Sequence, residues 1–210
     1  MGESPKQPLQ LSFNASLKID FQGSRVTSDR GLILVRELGE RLGFGESIQQ
    51  HLTDSRRGRN TQFPFDDLLR QSVYSRLAGT KDLNDAERLS QDPTFRLIGS
   101  EKIWDRGAAL TSRLQSFETE MLAQEENFAG LARLNRALIG KAGSLWRRLV
   151  LPKRIDKWSL TSLQQRLVKT GGRLVKHARY YRLLLAESHL TRRLFASMVR
   201  RIELLPLPAG

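Results

Sequence analysis

The residues of this chain best suited to chemistry are cations. Arg56, Arg57 and Arg59 surround a glycine in the loop TDSRRGRN. Lys153, Arg154, Lys157, Arg166, Lys169, Arg173, Lys176, Arg179 and Arg182 run through one later segment, where they alternate with Trp158, Tyr180 and Tyr181. A guanidinium fork matches two phosphate oxygens at once, and an ammonium group meets them as a point charge. Basic grooves with aromatic platforms are how proteins hold nucleic-acid strands. For the three-arginine loop an ordinary solvated turn is an equal reading, and Trp158 is expected in the core rather than on the binding surface.

Charge distribution supports the second group. The net charge is +13. Residues 1–140 hold 19 Lys+Arg and 19 Asp+Glu, which cancel, whereas residues 141–210 hold 16 against 3. Such an asymmetry points to a polyanion partner for the last third of the chain.

Acid–base and metal chemistry find little purchase. His51, His177 and His189 are scattered without ligand spacing, and there is no cysteine for disulfides, thiol catalysis or zinc. Asp66-Asp67 and Glu125-Glu126 fall at expected helix starts, where the helix dipole favours acids. Asp20, in KIDF, is the one acid in a strand-like apolar setting, and a single carboxylate makes no two-metal site. No phosphate-cradling glycine loop and no nucleophile elbow is present. No apolar run is long enough to span a bilayer, and the first ten residues lack a signal-peptide layout, so a cytoplasmic protein is expected.

The elements that must position these residues are mainly helical. Residues 1–26 read as a flexible polar lead-in with one short strand near KIDFQG. Ser28 or Asp29 is expected to cap a helix with apolar residues Leu34, Val35, Leu38 and Leu42, ended by Gly43 and Gly45, with a short one through Ile48 and Leu52 after it. Pro64 opens the next, striped by Phe65, Leu68, Leu69, Val73 and Leu77 and stopped by Gly79. Asn84 with Glu87 reads as a capping pair, and Asp92-Pro93 as a break. Further helices are expected from Leu110 to Met121 and from Glu126 to Ile139, the latter striped by Phe128, Leu131, Leu134 and Leu138. Pattern and charge balance change together near Gly140, giving a division into 27–140, a helical domain, and 141–210, a basic C-terminal part. In the latter, Thr161 and Gln164 read as caps for a helix ended by Gly171-Gly172, and a last helix covers Arg192 to Leu204. Leu174 to Ala186 fits a helix and a buried strand equally well.

Several of these stretches, in order, resemble one family. SRVTSDRGLILVRELGERLG, DDLLRQSVYSRLAG, KDLNDAERLSQDPTFRLIG and SFETEMLAQEEN are similar to the N-terminal region of bacterial insertion-sequence transposases of the DDE superfamily. KWSLTSLQQRLVKTGGRLVKHARYYRLLLAE, with LFASMVRRI, resembles the C-terminus of the same proteins. Ser72 stands where arginine is usual in that pattern, and the third and fourth motifs are loosened. The resemblance implies a ribonuclease-H-like catalytic domain between the two ends, with three carboxylates holding two metal ions. Here LARLNRALIG runs directly into GSLWRRLVLPKRIDKWSL, without a strand-borne aspartate.

The expectation is therefore a mainly α protein: a helical transposase N-terminal domain joined to a small basic α(+β) remnant of the catalytic domain, internally shortened. By the same resemblance its partner is DNA, at the terminal inverted repeats of an insertion element, together with a second copy or a full-length transposase. Its place is the bacterial cytoplasm, with the nucleoid. No cofactor is expected in this chain, Mg2+ belonging to the complete catalytic domain. Two rival readings are an active DDE transposase or nuclease using unrecognised carboxylates, and a general basic nucleic-acid-binding module. A decaying gene product that folds poorly is a third.

Overall fold

The computed structural model describes residues 8–21, 29–57, 62–80, 86–100, 107–142, 150–177, 180–186 and 188–205. Ser28, Arg59, Arg179, Asp82, Asn84 and Asp85 lie outside these residues.

The chain opens with a hairpin. β1 (Leu9–Leu11) and β2 (Asn14–Phe21) pair antiparallel. The lead-in reading is thus corrected over residues 9–17. The physical reason is a period-two alternation in which Leu9, Leu11, Leu17, Ile19 and Phe21 point one way. The turn between the strands is held by Glu37: both of its carboxylate oxygens accept the Ser12 N–H, at 2.9 and 3.0 Å, and one also accepts that of Phe13 at 3.3 Å.

Helices follow. α1 is Leu32–Arg41, ended by Gly43 at φ 66°, a left-handed position suited to glycine. Gly45 is not a second stop, because it lies in the first turn of α2 (Phe44–His51). α3 (Phe65–Leu77) begins after Pro64 and stops at Gly79, φ 83°. Val73 leaves the expected stripe and is exposed, while Gln71, Tyr74 and Ser75 are buried. α4 (Ala86–Gln91) and α5 (Pro93–Leu97) follow, with the Asp92 side chain accepting the Thr94 N–H at 2.7 Å. α6 (Thr111–Ser116) continues as a π-helical turn over Phe117–Met121, and α7 runs Glu125–Ala142. Phe128 was expected on the buried stripe of α7 but is 72% exposed. Asn127 takes the inward position, because its amide bonds the Thr53 N–H and C=O and the Met121 carbonyl.

α8 (Leu160–Leu163) continues as a π-helical turn, Gln164–Val168. Its cap is Ser159, whose hydroxyl accepts the Ser162 N–H at 3.1 Å, rather than the expected Thr161 and Gln164 pair. The described residues of the ambiguous stretch after Leu174 form strands rather than a helix: β3 (Gly172–His177) and β4 (Tyr180–Leu185). α9 (Arg192–Glu203) is capped by the Thr191 hydroxyl, which accepts the Leu194 N–H.

The four strands form one mixed sheet in the order β1-β2-β4-β3, with β2 and β4 parallel and the other pairs antiparallel. The fold is helix-rich with this small sheet. Its larger core draws on both ends of the chain: Leu17 and Ile19 from β2, Leu32 to Leu34 from α1, Leu163 and Leu167 from α8 and its turn, Leu183 and Leu185 from β4, and Phe195 and Ile202 from α9. A second cluster joins α2, α3, α6 and α7 through Ile48, Leu68, Leu114, Phe117 and Leu134. The leucines of the basic segment are therefore covered by pairing with the N-terminal hairpin.

Candidate nucleic-acid interface

Residues 150–169 build the first basic surface. Val150, Leu151 and Ile155 are buried, and the Ile155 N–H closes a turn onto the Pro152 carbonyl at 2.8 Å. Anchoring Ile155 inward turns Lys153, Arg154 and Lys157 out to solvent. Trp158 is half-buried against the core, and the Arg166 guanidinium carbon stands 4.8 Å from its ring centroid. That distance is a cation–π contact, which fixes Arg166 over an apolar support. Leu163, Leu167 and Val168 face inward, leaving Arg166 and Lys169 exposed. Asp156, half-buried, is the one acid in this stretch.

The sheet builds the second. On β4, Tyr180 and Arg182 alternate with the inward Leu183 and Leu185. Lys18 of β2 sits directly beside Arg182 in the parallel register, and Arg173 of β3 is opposite Leu184. Lys18 Nζ is 4.0 Å from the Tyr180 ring centroid, and the Arg182 guanidinium carbon is 6.0 Å from it. Two like charges side by side on adjacent strands repel, and a shared aromatic face offsets only part of that cost. The Arg182 Nε is buried without a hydrogen-bond partner. Lys176 falls in β3 opposite Tyr181.

The first loop divides. The Arg56 guanidinium spans Asp54 and the Phe63 carbonyl, with bonds of 2.7 to 2.8 Å. The hydrogen bond from Arg56 holds the Asp54 carboxyl below its ordinary value. Arg57 is exposed. The structure thus brings Lys153, Arg154, Lys157, Arg166 and Lys169 onto one segment and Arg173 and Arg182 onto the sheet, with Arg56 and Arg57 elsewhere.

Two groups escaped sequence reasoning. Lys18 was legible in the alternation of NASLKIDF, which sets it opposite Leu17 and Ile19. The arginines of α9 were legible in the helical period, since Arg192-Arg193 and Arg200-Arg201 stand about two turns apart between apolar residues.

The carboxylates do not fit a magnesium pair. Asp20 accepts from Arg192 Nη1 at 2.9 Å and from the Phe21 N–H at 2.8 Å. Asp67 accepts from the Ser100 N–H and hydroxyl and pairs with Arg70, and burial pushes its carboxyl above the ordinary range. Glu37 is spent on the hairpin turn. Among the described residues, no three His, Asp or Glu side chains come together as a metal site. His189 is exposed and His51 is half-buried with its Nδ1 unpartnered.

The motifs quoted for the resemblance serve the scaffold. Arg36 donates to the Ile98 carbonyl at 3.0 Å and pairs with Glu40, next to the turn-holding Glu37. Gln71 bonds both the N–H and the C=O of Ala109, at 2.8 and 2.7 Å. Ser72, in the position where arginine is usual, donates to Glu118 at 2.6 Å, and Arg76 one turn later pairs with the same carboxylate at 2.8 Å. Ser72 and Arg76 thus hold Glu118 together from successive turns of α3.

A family model, the transposase DDE domain group 1, matches residues 9–144. That is more than half of the chain, and the chain belongs to this family. Neither the curated proteins nor the solved structures contain a significant match. No helix among the described residues is long and apolar enough to cross a membrane.

Proposed function

We propose that this member of the DDE transposase family binds DNA during transposition, gripping the phosphate backbone with its C-terminal segment. The observation that carries the proposal is the exposed set Lys153, Arg154, Lys157, Arg166 and Lys169, held on one segment by the buried Ile155, Leu163 and Leu167. Rigid backbone under flexible cations suits phosphate contact, which positions a protein on DNA without reading its sequence. Arg173 and Arg182 extend the surface onto the sheet, and Arg57 forms a separate, smaller contact.

The same proposal holds that the chain does not cleave DNA by itself. Its support is that Asp20, Glu37, Asp67 and Glu118 are each engaged by guanidinium, hydroxyl or backbone N–H groups. The chain is then an internally shortened transposase that occupies terminal inverted repeats, alone or beside a complete copy.

Fluorescence anisotropy with the full chain tests this, using duplexes that carry an insertion element's terminal repeat and scrambled duplexes across a salt series. Preference for the repeat, with a steep salt dependence, is the expected result. Equal affinity for scrambled duplex and RNA would point instead to a general basic module. Magnesium-dependent nicking abolished by Asp20→Asn would show an active enzyme.

A further inference from the structure

We infer that the solvent face of α9 is a second contact for the backbone of duplex DNA, made by Arg193 and Arg200 across a floor of Ala196 and Ser197. The inference rests on the DNA-binding reading above and adds a surface to it. A shallow open trough is lined by Thr191, Arg192, Arg193, Ala196, Ser197, Arg200 and Arg201, so no acidic side chain lines it among the described residues. The opposite face of the helix is fully committed: Leu194, Phe195, Met198, Val199 and Ile202 are buried. Arg41 secures the far end by donating to the Glu203 and Leu205 carbonyls at 2.5 and 2.7 Å. The trough is thus presented on a rigid rod, with small side chains where a strand would come closest.

Charge placement argues for an anion. Cations in the first turn of a helix stand against its dipole, and α9 begins with two arginines and no acid. Arg192 is answered by Asp20 at 2.9 Å, whereas Arg193 beside it is exposed. Arg193 and Arg200 are separated by two turns, about 10 Å along the helix axis.

The test compares duplex binding by the full chain, by Arg193→Ala/Arg200→Ala and by Lys153→Ala/Lys157→Ala, with thermal melts of each. The α9 double variant is expected to melt like the parent, to lose affinity on the order of tenfold at 0.15 M salt, and to show a salt slope shallower by about two. Lysine at both positions should restore the slope. An unchanged affinity and slope in the α9 variant, while the Lys153/Lys157 variant weakens, overturns the inference and leaves the DNA-binding reading intact. A parent chain that binds no duplex overturns both.

Discussion

A Cβ atom built on Gly31 would lie 1.7 Å from the carbonyl oxygen of Leu167. The two residues are far apart in sequence, yet their backbones are in direct contact. The Gly31 N–H donates to the Val168 carbonyl at 3.0 Å, and the Arg30 N–H donates to the Thr170 carbonyl at 3.1 Å. Gly31, in the stretch SDRGLILVRE, is therefore where the family-defining region receives the basic C-terminal segment.

Gly31→Ala is predicted to destabilise the protein severely, by about 3 kcal/mol or more, because the obstacle is backbone that cannot rotate away. Gly45→Ala is the control. Its new methyl would meet only the Nη2 end of the Arg70 side chain, 2.8 Å away, rather than backbone, and it sits in a helix where alanine is favoured. Urea melts of the two variants should differ widely.

Residues 1–140 alone are predicted not to melt cooperatively. Removing β3, β4, α8 and α9 strips the partners of Leu17, Ile19 and Leu32 to Leu34 from the larger core. Leu183→Ala in the full chain tests the same dependence more gently. It should cost about 2–5 kcal/mol in a urea titration, as a fully buried leucine does.

Two carboxylates should respond oppositely to pH. Burial raises the Asp67 carboxyl above its ordinary value, so the folded state keeps that proton to higher pH than the unfolded chain does. Its contribution to stability therefore falls as pH rises from the ordinary carboxylate value through the raised one. The hydrogen bond from Arg76 lowers the Glu118 carboxyl. The stability it supplies is present above the ordinary value and is lost as pH falls through the lowered one. Melts of Asp67→Asn and Glu118→Gln, run from neutral pH down through and below the ordinary carboxylate value, should remove these two dependences, one of each sign.

Lys18→Gln is predicted to separate binding from stability. It relieves the repulsion with Arg182, so the melting temperature should stay level or rise, while duplex affinity falls and the salt slope becomes shallower by about one. A drop in stability would mean that the Tyr180 contact outweighs the repulsion.

The helices were legible where polar and apolar residues repeat with a helical period and glycine marks the end, as from Leu32 to Gly43 and from Phe65 to Gly79. Sequence misplaced residues where a polar side chain had a specific internal partner. Asn127 displaces Phe128 from the core because its amide satisfies the backbone of Thr53, a contact made across a long stretch of chain. The segment 174–186 stayed ambiguous for a similar reason. Its strand character depends on β2, more than 150 residues earlier, and local composition carries no record of that partner. Among site residues, the exposed cations of 153–169 followed from charge alone, whereas Lys18 and the α9 arginines became visible once the faces of β2 and α9 were assigned.

The basic C-terminal segment and the family-defining N-terminal region pack into one core, which requires them to unfold as one cooperative structure. Native-state hydrogen exchange addresses it most directly, by comparing the backbone amides of β2 with those of β4, which pair from Leu17 with Tyr181 to Phe21 with Leu185. The account predicts that hydrogen-bonded amides in both strands exchange only through global unfolding, with the same protection free energy and the same denaturant dependence. If β4 exchanges much faster than β2, the segment is a loosely attached tail and the account is wrong.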